Sequence, residues 1–248
     1  MKIVEVKNLD KFYYSPAGFK IKILSNITFG VEEWETLTLL APKGTGKSTL
    51  LKILANLDYL SGGKVKISTN FVYLPSLPSS FPWLTPFENV KFVNKKLKKK
   101  EIFNLLKVVG LEGYENHYPV SKSYGFRFRI TLARSLALKP KLLIFDEPFN
   151  LMRSDIKMEI YDLLKNIKKN MGLTYLFTSS NINEALYLSD RIILLKKNPA
   201  EIIDEIECSE INIKEDKFIL DSKANEIRLK IEKSLLKENN EEFLNISL

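Results

Sequence analysis

The segment that most constrains this chain runs from Thr36 to Thr49. A short apolar stretch, Thr36-Leu37-Thr38-Leu39-Leu40-Ala41, passes straight into Pro42-Lys43-Gly44-Thr45-Gly46-Lys47-Ser48-Thr49. Leu50, Leu51, Ile53, Leu54 and Leu57 then follow at helical spacing. Strand, Gly-containing loop and helix, in that order, are what a phosphate-binding loop requires. Gly44 and Gly46 let successive backbone N–H groups curl around phosphate oxygens, and the helix N-terminus adds partial positive charge. Lys47 is expected to bridge the β- and γ-phosphates, and the Ser48 hydroxyl to ligate Mg2+. The first position of the Gly-x4-Gly-Lys-Ser/Thr pattern is Ala41, a departure the loop tolerates if φ is negative there. The competing reading is a Gly-rich turn that binds nothing.

A second element bears on that choice. The apolar run ending Ile144-Phe145-Asp146-Glu147-Pro148 sets two carboxylates at the C-terminal end of a later strand. Asp146 is suited to hold Mg2+ through water, and Glu147 to orient and deprotonate an attacking water as general base. Acidic residues after a strand are common on their own. Together with Lys47 and Ser48 they point to an ATP- or GTP-hydrolysing site.

Residues 3–8, 20–31 and 36–41 read as strands, followed by Lys64–Ser68 and Phe71–Leu74, and then by a Pro/Ser-rich loop from Pro75 to Pro86. Residues 87–138 carry mostly helical periodicity (Glu101–Val109, Arg127–Leu138) and look like a helical insertion. Strands at Leu142–Asp146, Thr174–Thr178, Arg191–Leu195 and Glu201–Ile206 alternate with helices at Ser154–Lys168 and near Asn183–Leu188. The pattern predicts an α/β fold with a mainly parallel sheet and the ligand at the strands' C-terminal ends. From Lys214 the chain turns polar, with a terminal helix expected over Ala224–Leu236, either a regulatory add-on or a solvated end.

Composition narrows the chemistry. A chain of 248 residues, 45% hydrophobic and 27% charged, is an ordinary soluble globular one. One His and one Cys exclude two-histidine chemistry, an intrachain disulfide and a Cys-cluster zinc site, and fit a reducing compartment. Cys208 reads as a small buried or half-buried side chain. Met1–Val6 alternates like a strand and lacks a secretory apolar core, and no run reaches ~18 apolar residues, so a cytoplasmic location is expected. The net charge of +8 is Lys-dominated, with only six Arg, which argues against nucleic acid as a partner. The cluster Lys95-Lys96-Leu97-Lys98-Lys99-Lys100 reads as a solvated helix start or loop, with anionic lipid contact as the alternative.

The order of motifs over residues 1–208 resembles the nucleotide-binding domain of an ATP-binding-cassette (ABC) transporter. The resemblance rests on Lys43–Thr49; Phe81-Pro82-Trp83-Leu84-Thr85 with Glu88-Asn89-Val90; Tyr118-Pro119; and Phe126-Arg127-Phe128-Arg129 leading into Ala133-Arg134-Ser135-Leu136-Ala137. Phe145-Asp146-Glu147-Pro148-Phe149 and Glu184-Ala185-Leu186-Tyr187-Leu188-Ser189-Asp190-Arg191-Ile192 complete it. The Pro-Trp-Leu-Thr and Glu-Ala-Leu-Tyr-Leu-Ser-Asp-Arg-Ile stretches are most similar to nitrate/sulfonate/taurine-type importer ATPases. The resemblance implies a P-loop NTPase core with an antiparallel β subdomain and a helical insertion, over residues 1–208, followed by a 209–248 extension. It implies ATP and Mg2+ as ligands, and Tyr13 as the aromatic stacked on adenine, with Phe12 and Tyr14 as alternatives. It also implies a second ABC ATPase subunit, because each ATP in the family lies between the P-loop of one copy and the signature of the other. A separate membrane permease would dock at Pro75–Pro86 and the insertion, with a solute-binding protein involved indirectly, which places the chain peripherally on the inner face of the cell membrane.

Several family positions are substituted. The signature reads Lys122-Ser123-Tyr124-Gly125-Phe126, keeping Ser123 and Gly125 for the partner's ATP but placing a ring at Tyr124. Ser76 stands for the coupling Gln, Arg153 for the Asp after the strand ending Asp146-Glu147 that links the two sites, and Ser180 for the switch histidine; the lone His117 reads as a surface residue. The catalytic set carried over by the resemblance is then Glu147, Lys47 and Ser180. Slow turnover with retained ATP·Mg2+ binding is expected, in an importer ATPase. The alternative is a hydrolysis-impaired regulatory subunit paired with an intact cassette. A soluble ABC ATPase acting on DNA, ribosomes or iron–sulfur assembly lacks support from coiled-coil inserts, tandem cassettes or Cys clusters. The solute is chosen by other subunits and is not written in this chain.

Overall fold

A computed structural model describes residues 1–120, 122–208 and 222–244. The chain divides into two compact units, Met1–Ser68 with Leu176–Leu248, and Thr69–Tyr175. The fold is α/β.

The first unit opens with β1 (Lys2–Tyr14), which pairs antiparallel with both β2 (Lys20–Glu32) and β4 (Gly62–Ile67) in a sheet of order β2-β1-β4. Alternation buries Val4, Val6 and Leu9. The sequence pattern ends this strand at residue 8 because the alternation breaks there. The structure carries it on to Tyr14, with irregular register between Val6 and Leu9, where Asn8 takes a left-handed φ of 50°. Opposite this irregularity Gly63 has φ 87°, and a Cβ built on it would lie 2.3 Å from the Asn8 carbonyl oxygen.

The same unit holds β3 (Thr36–Leu40), α1 (Lys47–Leu54), α6 (Ile182–Leu188), β8 (Arg191–Leu195) and β9 (Ile202–Glu207). It also takes residues 176–179 of β7 (Thr174–Ser179). Here the order is β7-β3-β8-β9, with β3 and β8 parallel and β9 antiparallel at the edge. Every residue of β3 is buried, as its continuous apolar run requires. The Ser189-Asp190-Arg191 stretch stitches these strands. Ser189 Oγ donates to Thr38 Oγ1 at 2.6 Å, and Asp190 accepts the Thr36 N–H at 2.7 Å. Arg191 bonds Glu35, Glu205 and the Gly30 carbonyl. That part of the motif therefore has hydrogen-bonding work within the fold.

The C-terminal helix α7 (Ser222–Leu244) is more than a solvated end: Ala224 and Ile231 are fully buried in a cluster with Ile192, Leu194, Ile206 and Cys208. Cys208 is buried as expected, and burial pushes its thiol up to about 12, so it stays protonated and unreactive at neutral pH. Residues 209–221, where the chain turns polar, lie outside the described residues.

In the second unit β5 (Phe71–Leu74) pairs parallel with β6 (Leu142–Asp146), and the first two residues of β7 complete its part of the order. Helices α2 (Pro86–Val93), α3 (Lys99–Val108) and α4 (Tyr124–Leu136) occupy the stretch between those strands, and α5 (Ser154–Met171) follows them. A capping box starts α2: Thr85 Oγ1 accepts the Glu88 N–H at 3.2 Å while Glu88 accepts the Thr85 N–H at 2.9 Å. Asn89, fully buried, donates to the carbonyls of Phe81, Leu84 and Thr85 and accepts the Phe81 N–H. The Phe81–Thr85 and Glu88–Val90 motifs thus form one folded knot. The Lys95–Lys100 cluster is a helix start: its lysines are exposed, Lys98 is the N-cap of α3, and Leu97 between them is buried.

No described helix is long and apolar enough to cross a membrane. Gly63→Ala is expected to destabilise the chain by about 1–3 kcal/mol, because the positive φ and the contact with Asn8 both penalise a Cβ. An unchanged thermal melting temperature would contradict this account of the β1–β4 irregularity.

Candidate functional site

The phosphate-loop candidates all lie in the first unit. β3 ends at Leu40, and the Ala41 N–H donates to the Ser179 carbonyl at 3.1 Å. Ala41 is not among the positive-φ residues, so the condition for Ala at this position is met. Gly44 has φ 80° with open space around its missing Cβ; Gly46 has φ 102°, and a Cβ there would lie 2.8 Å from Ile23 Cγ2. Conformation demands glycine at Gly44, and conformation and packing together demand it at Gly46. Gly46 is the N-cap of α1, no side chain caps that end, and no acidic residue sits in its first turn. This leaves the helix N-terminus suited to an anion.

Thr45 Oγ1 braces the loop through the Pro42 carbonyl at 2.8 Å. Lys43, Gly44 and Ser48 are exposed and Thr49 half-buried, whereas Lys47 is buried. Its ammonium donates to the carbonyls of Ala41 at 2.7 Å and Pro42 at 2.9 Å. The group expected to bridge phosphates is thus held on the backbone of its own loop.

Of the three aromatic candidates, Tyr13 is the one joined to this loop. Its hydroxyl donates to Asp58, and a further hydrogen bond links it to Thr49. Burial pushes the phenol up, Asp58 adds to that, and Thr49 opposes it. Lys11, 6% exposed, pairs with Asp58 at 2.6 Å and sets its Nζ 4.5 Å from the Tyr13 ring centroid. Burial raises the Asp58 carboxyl, but hydrogen bonds from Lys11, Tyr13 and the Tyr59 N–H outweigh it and hold the group below the usual range. Tyr13 stays 42% exposed, with its ring fixed by this triad. Phe12 and Tyr14 instead pack edge to face against each other.

Ser180 follows β7 and is half-buried. The side-chain contacts belong to Ser179, whose hydroxyl donates to Glu184 at 2.9 Å and accepts the Asn181 N–H at 2.9 Å. Ser179 is the residue sequence reasoning passed over here, and Glu184 was read only as part of the motif that follows. The available signal was a serine five positions before that motif glutamate.

In the second unit Asp146 is buried at the end of β6 and accepts the Tyr73 hydroxyl at 3.0 Å. Glu147 has a left-handed φ of 44° and accepts a hydrogen bond from Asn150 Nδ2. Neither the backbone conformation nor the Asn150 partner is readable from spacing. Ser76 is exposed two residues beyond β5. Ser123 is the N-cap of α4, accepting the Phe126 N–H at 3.3 Å. Gly125 is buried, and a Cβ on it would lie 2.5 Å from Ile156 Cγ2 of α5. The Tyr124 ring lies under Arg127 at 4.9 Å, with its hydroxyl buried and lacking a hydrogen-bond partner among the described residues. Arg153 pairs with Asp155 two residues on, at 3.0 Å. His117 is exposed beside Tyr114.

The first unit therefore brings together Tyr13, Lys43–Thr49 and the strand end before Ser180. The second holds Asp146 and Glu147 at one strand end and Ser123 and Gly125 at the start of α4. Taken separately, Ser48 in the first unit and Asp146 in the second each offer a hard oxygen donor of the kind Mg2+ takes, and no group of three or more His, Cys, Asp or Glu side chains forms a cage among the described residues.

A family model described as ABC transporter matches residues 24–150. The aliphatic sulfonates import ATP-binding protein SsuB of Bacillus anthracis is 33% identical over 215 residues, 82% of this chain and 85% of that protein. An uncharacterized ABC transporter ATP-binding protein of Methanocaldococcus jannaschii is 36% identical over 217 residues, 82% of this chain and 81% of the relative. Among solved structures, an ATP-binding cassette captured as a dimer in a post-hydrolysis state with ADP and Pi superposes with a TM-score of 0.71 at 28% identity, covering 83% of this chain and 98% of that one. By sequence and by fold, this chain belongs to the ATP-binding, ATP-hydrolysing subunits of the ABC transporter family.

Proposed function

We propose that the chain is the ATPase subunit of an ABC importer, working with a second ABC ATPase subunit and a separate membrane permease, and indirectly with a solute-binding protein. On this reading it sits peripherally on the inner face of the cell membrane, residues 1–208 form the ATPase domain and 209–248 an extension. The permease meets it at Pro75–Pro86 and the helical segment that follows. The named relatives support the importer reading: SsuB serves aliphatic sulfonate import, and PotA of Mycoplasma mycoides, 33% identical over 229 residues, serves spermidine/putrescine import.

The observation that carries the proposal is the uncapped start of α1 behind two left-handed glycines, with a buried ammonium at the loop. Backbone N–H groups of Lys43–Thr49 take the phosphates, and the Lys47 ammonium exchanges a carbonyl for a phosphate oxygen. Tyr13 offers its ring to the adenine. Ser48 and Asp146 would hold Mg2+, which when bound offsets phosphate charge. Glu147, oriented by Asn150, accepts the proton of the attacking water, and the water's oxygen bonds the γ-phosphorus as the bond to ADP breaks. Ser123 and Gly125 serve the partner's ATP.

Turnover is slow on this account. Ser76 is too short to reach as the coupling Gln does, Arg153 reverses a charge and Ser180 replaces the switch histidine. Loss of a single transition-state hydrogen bond costs ~10²–10³ in rate. Nothing in the described residues favours a subunit that has given up hydrolysis altogether.

Three outcomes test this. The purified chain should hydrolyse ATP slowly and Glu147→Gln should abolish hydrolysis while retaining ATP binding; equal rates in the two proteins would contradict the assignment of the base. Ser180→His should raise kcat about tenfold or more, and an unchanged kcat would remove Ser180 as a cause of slow turnover. Asp58→Asn, which unpairs buried Lys11 and releases Tyr13, should weaken ATP binding several-fold and lower stability by about 2 kcal/mol. Because the folded Asp58 carboxyl titrates below 3.8, the pair's contribution is complete above that pH and fades as pH falls through the lower folded value. The Asn variant should lose this acid limb in thermal melts from neutral pH downward. A limb identical to the parent's would show that the pair is not its source.

A further inference from the structure

Asp146 lies at the C-terminal end of β6 with almost no exposed surface, and a carboxylate so placed needs fixed donors. One of them comes from the neighbouring strand. In the parallel β5–β6 ladder Tyr73 stands opposite Ile144, and side chains at 144 and 146 share a face because strand side chains alternate. A two-residue step along a strand is about 6.6 Å, a span the long phenol bridges, and its hydroxyl donates to Asp146 Oδ2 at 3.0 Å. A phenol ordinarily titrates at about 10, so the hydroxyl is a donor throughout the neutral range. Phenylalanine would fill the same volume without this bond.

The position gives the contact meaning. Tyr73 lies three residues before Ser76, where the family's coupling glutamine is replaced by a side chain too short to span the same distance. From the segment that leads into that loop, a polar reach to the metal-binding strand end is thus supplied by Tyr73. We propose that Tyr73 is a positioning residue for the nucleotide-bound Mg2+: it fixes the rotation of the Asp146 carboxylate and so sets the affinity of the site for the metal. The proposal rests on the reading of Asp146 as a Mg2+ ligand. Partners of metal ligands act in this way, and their removal commonly lowers metal affinity about tenfold or more.

The test is a Mg2+ titration of the purified full chain with a fluorescent ATP analogue, alongside binding in EDTA, thermal melting and steady-state hydrolysis. Tyr73→Phe should raise the Mg2+ concentration at half-saturation about tenfold. Affinity for the nucleotide in EDTA should be unchanged, which shows an intact fold, and kcat should recover at saturating Mg2+. A Mg2+ midpoint equal to that of the parent, or a loss of affinity that is the same in EDTA, would overturn the proposal. Asp146→Asn separates the two levels of the argument. If this variant keeps the parent's Mg2+ dependence, the metal reading of Asp146 fails and Tyr73's role falls with it. If it loses that dependence while Tyr73→Phe does not shift it, Tyr73 alone is wrongly assigned.

Discussion

The Lys47 ammonium, buried against the carbonyls of Ala41 and Pro42, is the charge on which the candidate site depends. A desolvated cation needs oxygens around it, and the loop supplies them only because Gly44 and Gly46 turn the backbone through conformations that side chains avoid. The same turns leave the start of α1 without a capping side chain. Buried β3 anchors one end of this arrangement, and the Ala41 to Ser179 hydrogen bond ties it to the end of β7. Cation, helix terminus and free loop surface all favour an anion with several oxygens, and membership of the ABC transporter family identifies the nucleotide that carries it.

The substituted positions show how such a site is altered without losing its fold. Ser123 caps α4, and Gly125 allows α4 to approach Ile156 of α5, so both residues have structural roles within this unit. Tyr124 is accommodated by folding its ring under Arg127. Arg153 finds Asp155 as a nearby counter-charge, an exposed pair of the kind that contributes little to stability. Tyr124 and Arg153 thus each meet a contact close in sequence, although the Tyr124 hydroxyl is buried with no hydrogen-bond partner among the described residues.

Much of this was legible in the sequence. The glycine turn between β3 and α1, β6 with its terminal Asp146, and the buried strands were readable because continuous apolar runs and Gly-Lys-Ser-Thr carry strong local signals. The rest required tertiary contacts. β1 continues past its break because β2 and β4 resume pairing beyond the Asn8 irregularity, which no alternation pattern anticipates. The burial of Ala224 and Ile231 makes α7 part of a core, although its sequence is largely polar. The Asn89 knot, the Lys11–Asp58–Tyr13 triad and the Tyr73–Asp146 bond each join residues on different elements or across a loop, so spacing alone could not pair them.

The central claim is that the loop from Ala41 to Thr49 holds the phosphates of ATP around Lys47. Equilibrium binding of ATP to the purified chain, measured for the parent and for Lys47→Ala matched in thermal stability, tests it most directly. The account predicts that the parent binds ATP and that the variant loses affinity at least tenfold, with adenosine binding equally weakly to both. Equal ATP affinity in the two proteins, or no ATP binding by the folded parent, would contradict it.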